Sequence, residues 1–140
     1  MKVNVRSHFL GCKLGLPLLA ENGSIVLVSS VAATYVAGTR MPAYTASKAA
    51  LSGLVRHAAK EGAPRGIRAN VIAPGLIDTP LGRSASRADE NRESVGIPLG
   101  RQGTAAEIAE AIVFMLSPRA SYVTAQELVV DGGLSGVGAL

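Results

Sequence analysis

The apolar positions change period several times along the chain, and each change predicts an element. From Val3 to Leu19 they recur at helical spacing, with Val5, Phe9, Cys12 and Leu16 near one face. Pro17 blurs the end of that helix. Glu21-Asn22-Gly23-Ser24 is turn chemistry, and Ile25-Val26-Leu27-Val28 is a short, continuously apolar, largely β-branched run. Such a run predicts a strand buried on both faces, as in a parallel sheet. Ser29 and Ser30 fall at its carboxyl end, and Val31 to Pro42 reads as an irregular loop.

A second helical pattern runs from Ala43 to about Glu61 and is closed by Gly62 and Pro64. Its Ala46, Ala49, Ala50 and Gly53 let another backbone approach closely. Arg68 to Ala73 predicts a second buried strand, stopped by Pro74-Gly75. Residues 76–103 are rich in loop formers, with charge concentrated from Arg83 to Glu93, and read as a mobile flap with room for one short helix. Thr104-Ala105-Ala106-Glu107 is a capping-box signature. It opens a third helix through Ile108, Ile112, Val113, Met115 and Leu116, closed by Ser117-Pro118. Glu127 to Val130 predicts a third strand, turned by Asp131-Gly132-Gly133.

The resulting order, α-β-α-β-α-β, predicts an α/β domain over residues 1–140, a parallel sheet with helices on both faces. Sites in such sheets form outside the carboxyl ends of the strands, where Ser30 and Pro74-Gly75 both lie.

Composition narrows the function classes. Apolar residues make up 48% and charged residues 17% of the 140, which supports a packed core and argues against disorder. The net charge of +4 is scattered, without basic runs or aromatic interleaving, so no nucleic-acid partner is expected. No apolar run approaches the ~18 residues of a membrane span, and the expectation is a soluble, cytoplasmic protein without a membrane partner. Cys12 is the single cysteine and reads as a buried structural thiol. His8 and His57 have no companions at ligand spacing, so no metal is expected. Asp78, Asp89 and Glu93 read as solvated loop charges.

The chemistry concentrates in Ala43-Tyr44-Thr45-Ala46-Ser47-Lys48. One helical turn separates Tyr44 from Lys48, so phenol and ammonium leave the same face. A positive charge at about 4–5 Å is worth roughly 3–4 kcal/mol at an effective dielectric of ~20, in favour of a phenolate. A tyrosine so placed is a general acid/base, and a strand-end hydroxyl would hold a substrate against it. Taken singly, Tyr44 is a packing tyrosine, Lys48 a solvated lysine and Asn4 a helix cap. Ser29 reads as structural, and Thr79 before Pro80 is equally well a turn residue.

Several motifs together resemble the short-chain dehydrogenase/reductase family. They are Val3-Asn4-Val5, Gly23-Ser24-Ile25-Val26 leading to Ser29-Ser30, and Tyr44-Thr45-Ala46-Ser47-Lys48. Ile67-Arg68-Ala69-Asn70-Val71-Ile72-Ala73-Pro74-Gly75, Gly103-Thr104-Ala105-Ala106-Glu107-Ile108-Ala109 and Val130-Asp131-Gly132-Gly133 follow in family order. The resemblance implies a Rossmann-like fold and an NAD(P)-dependent oxidoreductase acting on alcohol or carbonyl groups. It implies that Tyr44 is the acid/base, Ser30 the substrate-orienting hydroxyl, Lys48 the cation that favours the phenolate and binds the nicotinamide ribose, and Asn4 the holder of a relay water. Pro74 and Gly75 would shape the nicotinamide side, and the Ile77 backbone and Thr79 hydroxyl would touch the carboxamide or a phosphate. Leu76, Leu81 and Ile97 would help line the pocket of a small alcohol or ketone.

The family's Gly-rich Thr-Gly-x-x-x-Gly-x-Gly turn and its Asn-Ala-Gly strand have no counterpart here. Ala125 stands where the family often has Gly, and Ser30 lies one residue further from Tyr44 than in many members. The expectation is therefore a truncated, carboxyl-terminal half of a reductase, with NAD or NADP bound weakly and turnover low or undetectable. The competing expectation is a non-catalytic oligomerisation or interaction module. It would use the bared edge of the Ile25–Val28 strand or the small-residue face of the second helix, and a homo-oligomer is expected.

Overall fold

The computed structural model describes residues 1–35, 41–86 and 96–137. Three parallel strands form its sheet in the order β1-β2-β5: β1 (Ser24–Val28), β2 (Arg68–Pro74) and β5 (Glu127–Val130). Ile25 pairs with Ala69, Leu27 with Val71, and Ile72 with Leu128. Two two-residue strands, β3 (Ile77–Asp78) and β4 (Gly103–Thr104), make a separate parallel ladder beyond the carboxyl end of β2. The helices are α1 (Ser7–Gly15), α2 (Pro42–Gly62), α3 (Pro80–Ser86) and α4 (Ala105–Leu116).

Alternation along the strands sorts the core into two layers. Leu27, Ala69 and Val71 face one way, into a cluster with Cys12 and Leu16 of the first helical segment and Leu51, Val55, Ala58 and Ala59 of α2. Ile72, with Val26, Leu128 and Val130, faces the other way, onto Ile108 and Met115 of α4. β2 is central and buried along almost its whole length, which is why its sequence is apolar apart from Arg68 and Asn70. Its two polar members are used as ties. Arg68 donates to the carbonyls of Met115 (2.8 Å) and Ser117 (3.0 Å) at the end of α4. Asn70 donates to Val123 O and accepts from Gln126 N, holding the approach to β5.

Two expectations are corrected. The Ile25–Val28 run is not buried on both faces: three residues of β1 are half-buried and Val28 is 36% exposed. β1 is an edge strand, so less of it is covered than of β2. Phe9 is half exposed and does not join the core that buries Cys12 and Leu16. The first helix begins as a π turn over Lys2–Arg6, and the core meets the helix only from Cys12 onward.

Local signals otherwise lead to the observed elements. A 3₁₀ turn at Leu16–Leu18, containing Pro17, ends the first helix. The Thr104–Glu107 capping box opens α4, with both reciprocal bonds made. Among its described residues, the segment after β2 carries one short helix, α3. Part of the loop after Val31, and Asp89 and Glu93 of the charged stretch, lie outside the described residues.

Candidate active site

The first turns of α2 present Tyr44, Ser47 and Lys48 at the carboxyl end of β1. Pro42 occupies the first helical turn, where its missing N–H costs nothing. Tyr44 is 38% exposed, while Ser47, three residues on, is 1% exposed. The Ser47 hydroxyl donates to Tyr44 O at 2.7 Å and accepts from Asn4 Nδ2 at 3.0 Å. Asn4, placed by the π turn, is thereby tied to the turn that carries Tyr44.

The Lys48 ammonium donates to the Val28 carbonyl at 2.8 Å and stands 5.9 Å from the centroid of the Tyr44 ring. That distance is within cation–π range. Burial lowers the Lys48 pKa from its ordinary 10.5. Ser29 ties the strand end to the same turn: its N–H bonds Ile72 O at 2.8 Å and its hydroxyl donates to Lys48 O at 3.0 Å. The Ser30 hydroxyl accepts from Ala32 N at 3.2 Å, capping the 3₁₀ turn Val31–Ala33, and keeps a proton to donate.

The structure thus joins Asn4 to the Tyr44 turn through Ser47, and joins Ser29 to the same turn through Lys48 O. Ser47 was not singled out from the sequence, although it lies within the motif. Its signal is the helix face shared by residues 44, 47, 48 and 51, the last of which is fully buried.

The second group of predicted residues sits at the end of β2. Gly75 N bonds Val130 O at 3.0 Å, and a Cβ at Gly75 would stand 2.6 Å from Asp131 Cβ. The close approach of the two strand ends therefore requires glycine. Ile77 lies in β3. The Thr79 hydroxyl accepts from Gly82 N at 2.9 Å, which makes it the cap of α3. Leu81 is 81% exposed.

A cavity of about 100 Å³ opens here, lined by Leu76, Ile77, Val130 and Asp131 and walled by the Arg101–Glu107 pair. Arg101 grips Glu107 through both guanidinium nitrogens, at 3.0 and 2.6 Å. That grip, with the Thr104 N–H and hydroxyl, lowers the Glu107 pKa from 4.5 to about 2. Burial alone would raise the Asp131 carboxyl, but hydrogen bonds from Ser135 and Gly133 outweigh it and the net shift is downward. A larger groove, about 390 Å³, lies between α1 and β1 and does not include Tyr44 or Lys48. Among the described residues no His, Cys, Asp and Glu side chains cluster as a metal site, and no helix is long and apolar enough to cross a membrane.

Comparison with known proteins places this geometry. The profile of the family described as "Enoyl-(Acyl carrier protein) reductase" matches residues 1–135. The chain is 41% identical over 141 residues to 2-(R)-hydroxypropyl-CoM dehydrogenase of Xanthobacter autotrophicus, covering 98% of this chain and 56% of that protein. It is 40% identical over 136 residues to the 3-oxoacyl-[acyl-carrier-protein] reductase FabG of Thermotoga maritima, covering 96% of this chain and 55% of that one. Among solved structures, a blue fluorescent protein from a metagenomic library, in complex with NADPH, superposes with a TM-score of 0.89 at 32% identity, over 97% of this chain and 55% of that chain. The chain spans about half the length of the relatives it matches. With a family profile running through nearly all of it, this chain belongs to the short-chain dehydrogenase/reductase family of NAD(P)-dependent oxidoreductases.

Proposed function

We propose that Tyr44, Lys48, Ser30 and Asn4 form the proton-handling site of an NAD(P)-dependent oxidoreductase for small alcohols and ketones. One observation carries the reading: the Lys48 ammonium stands against the Tyr44 ring at the carboxyl ends of the strands. The donor set suits the ribose of a nicotinamide nucleotide, since a phenol and an ammonium leave one helical turn together. NAD or NADP would be held there by Tyr44 and Lys48. The Pro74-Gly75 turn and the Ile77 backbone would lie on the nicotinamide side, with Thr79 through the proton its cap leaves available. When bound, the nicotinamide supplies or accepts the hydride.

The protein's own residues then manage the oxygen. In reduction Tyr44 would give its proton to the carbonyl oxygen, and in oxidation it would take the proton back. Ser30 donates its remaining proton to the substrate oxygen and aligns it. Asn4, through Ser47, holds the turn on which Tyr44 rides, and would hold the relay water.

The test is Tyr44→Phe. Wild-type and variant chains are assayed at high protein concentration with NADPH and a panel of small ketones. Loss of at least about 10²-fold in rate supports general-acid catalysis by Tyr44. Equal rates in the two chains would overturn it.

A second reading, a non-catalytic assembly module, is favoured by the exposed edge of β1 and by apolar residues standing in solvent. Leu14 is 62% and Val3 79% exposed on the first helix, and the small residues Ala46, Ala49 and Gly53 of α2 are exposed as well. These surfaces support a homo-oligomer. Tyr44→Phe would leave such assembly unchanged, and a sedimentation mass that stays monomeric at every concentration would sink it.

A further inference from the structure

The outer side of the first helical segment carries apolar and cationic side chains and no carboxylate. Val3, Leu10, Leu14 and Leu18 are all exposed there, Leu18 at 85%, while Cys12 and Leu16 are buried on the inner side. Leu10, Leu14 and Leu18 follow one another at one helical turn, and Val3 precedes Leu10 by two turns. Lys2, Arg6 and Lys13 are exposed as well, at the same kind of interval. Residues 1–20 contain no Asp or Glu. Among the described residues, Arg65, Arg83 and Arg101 meet carboxylates, whereas Lys2, Arg6 and Lys13 meet none.

One exposed leucine needs no explanation, but a row of four large apolar side chains beside three unanswered cations does. Charge selects the partner. Packed against the same face of a second copy, the segment would set three cations against three, with no acid nearby in sequence to offset them. A nucleic acid would answer the cations and leave the aliphatic row without a partner. An anionic lipid surface answers both. Apolar side chains enter the boundary below the headgroups, and the stems of Lys and Arg lie along it with their charges at the phosphates. Another exposed apolar face, Val113, Phe114 and Leu116 of α4, shares its helix with Glu107 and Glu110 and lacks this match. The absence of a membrane-spanning run bears on crossing a bilayer, whereas lying on one needs only an outward face of this kind.

We propose that residues 2–18 dock on an anionic phospholipid bilayer. Val3, Leu10, Leu14 and Leu18 reach the acyl boundary, and Lys2, Arg6 and Lys13 meet the lipid phosphates. Asn4 of the same segment turns inward to Ser47, so docking asks for no change at the Tyr44 turn. The docking stands independently of the oxidoreductase reading.

The test sediments the 140-residue chain with vesicles of phosphatidylcholine alone, or of phosphatidylcholine and phosphatidylserine at about two to one. Binding to the anionic vesicles at least about tenfold tighter is expected, and it should weaken at least about tenfold between roughly 0.1 and 0.5 M salt. The triple variant Lys2→Gln, Arg6→Gln, Lys13→Gln should weaken it about 10²-fold, since each cation near such a surface is worth about fivefold. The double variant Leu14→Ser, Leu18→Ser should weaken it at least about tenfold. All five positions are exposed, and two independent sets of substitutions guard against one variant misfolding. Val113→Ser and Lys60→Gln, on other helices, should bind like wild type. The chain has no tryptophan, so Leu18→Trp supplies a single reporter whose emission should move to the blue on the anionic vesicles.

No binding, or equal binding to both kinds of vesicle, overturns the proposal. Binding indifferent to either set of substitutions overturns it, as does a Leu18→Trp emission that the vesicles leave unmoved. Self-association abolished by the leucine variant, without vesicle binding, assigns the face to a second copy and overturns it too. Duplex DNA or RNA bound as tightly as the anionic vesicles, with the leucine changes silent, assigns the cations to a nucleic acid and has the same consequence.

Discussion

The Lys48 ammonium donates to the Val28 carbonyl at 2.8 Å while it stands 5.9 Å from the centre of the Tyr44 ring. One side chain therefore joins the end of a strand to the first turns of the helix that follows it. Ser29 repeats the join through its hydroxyl and Lys48 O. The candidate acid/base is held by a strand–helix junction, and its supports are open to direct measurement.

Asn4 and Ser47 form one such support. Removing either side chain breaks the 3.0 Å bond, and Ser47→Ala also frees Tyr44 O. Each single variant should lose about 1 kcal/mol in urea unfolding. The double variant should lose clearly less than the sum, because both singles break the same bond. Strict additivity would show that the bond contributes nothing.

Arg68 is a buried cation bonded to carbonyls at the end of α4 and to Val123 O. Arg68→Met keeps the bulk and strands those acceptors, so a loss of roughly 2–4 kcal/mol in unfolding free energy is expected. Arg68→Lys should recover part of it. A change below about 0.5 kcal/mol, the range of ordinary surface substitutions, would contradict the tie.

Gly75→Ala would set a methyl 2.6 Å from Asp131 Cβ and 2.7 Å from its Cα. The end of β2 must then move away from β5, at a cost of about 1–3 kcal/mol. The Gly75 N–H should exchange with solvent faster in consequence, since its bond to Val130 O at 3.0 Å stretches. Hydrogen-exchange rates in wild type and variant check both effects.

The capping box gives a pH dependence with a definite sign. Glu107 has a folded pKa of about 2, against an ordinary 4.5. A depressed carboxylate stabilises the fold above its unfolded pKa, and that stabilisation drains away as pH falls through the folded value. Wild type should therefore lose stability relative to Glu107→Gln between about pH 4.5 and 2. The urea midpoint of both proteins against pH measures it. Parallel curves across that window would refute the linkage.

The elements with long, regular patterns were readable in one dimension. The Arg68–Ala73 run became the buried central strand, and Thr104 with Glu107 opened α4 as the spacing predicts. β3 and β4 were not readable, because two residues carry no period and Ile77 pairs with Gly103 only through the fold. Phe9 misled because spacing marks a helix face but not how far along it the core reaches, and the core includes Cys12 and Leu16 but not Phe9. Thr79 had two equal readings, and the Gly82 N–H at its hydroxyl shows the turn role.

In the site, the Tyr44–Lys48 spacing was readable because a helix turns a four-residue interval into a shared face, whatever the surroundings. The same local geometry covers the strand runs and the caps. The meeting of Lys48 with Val28 O, of Asn4 with Ser47 and of Gly75 with Asp131 came only from folding. Those partners are 20, 43 and 56 positions apart, and two of the contacts engage the backbone, which every residue carries and no pattern marks. Short-range spacing fixes directions along the chain, whereas packing of helices on a sheet decides which directions converge.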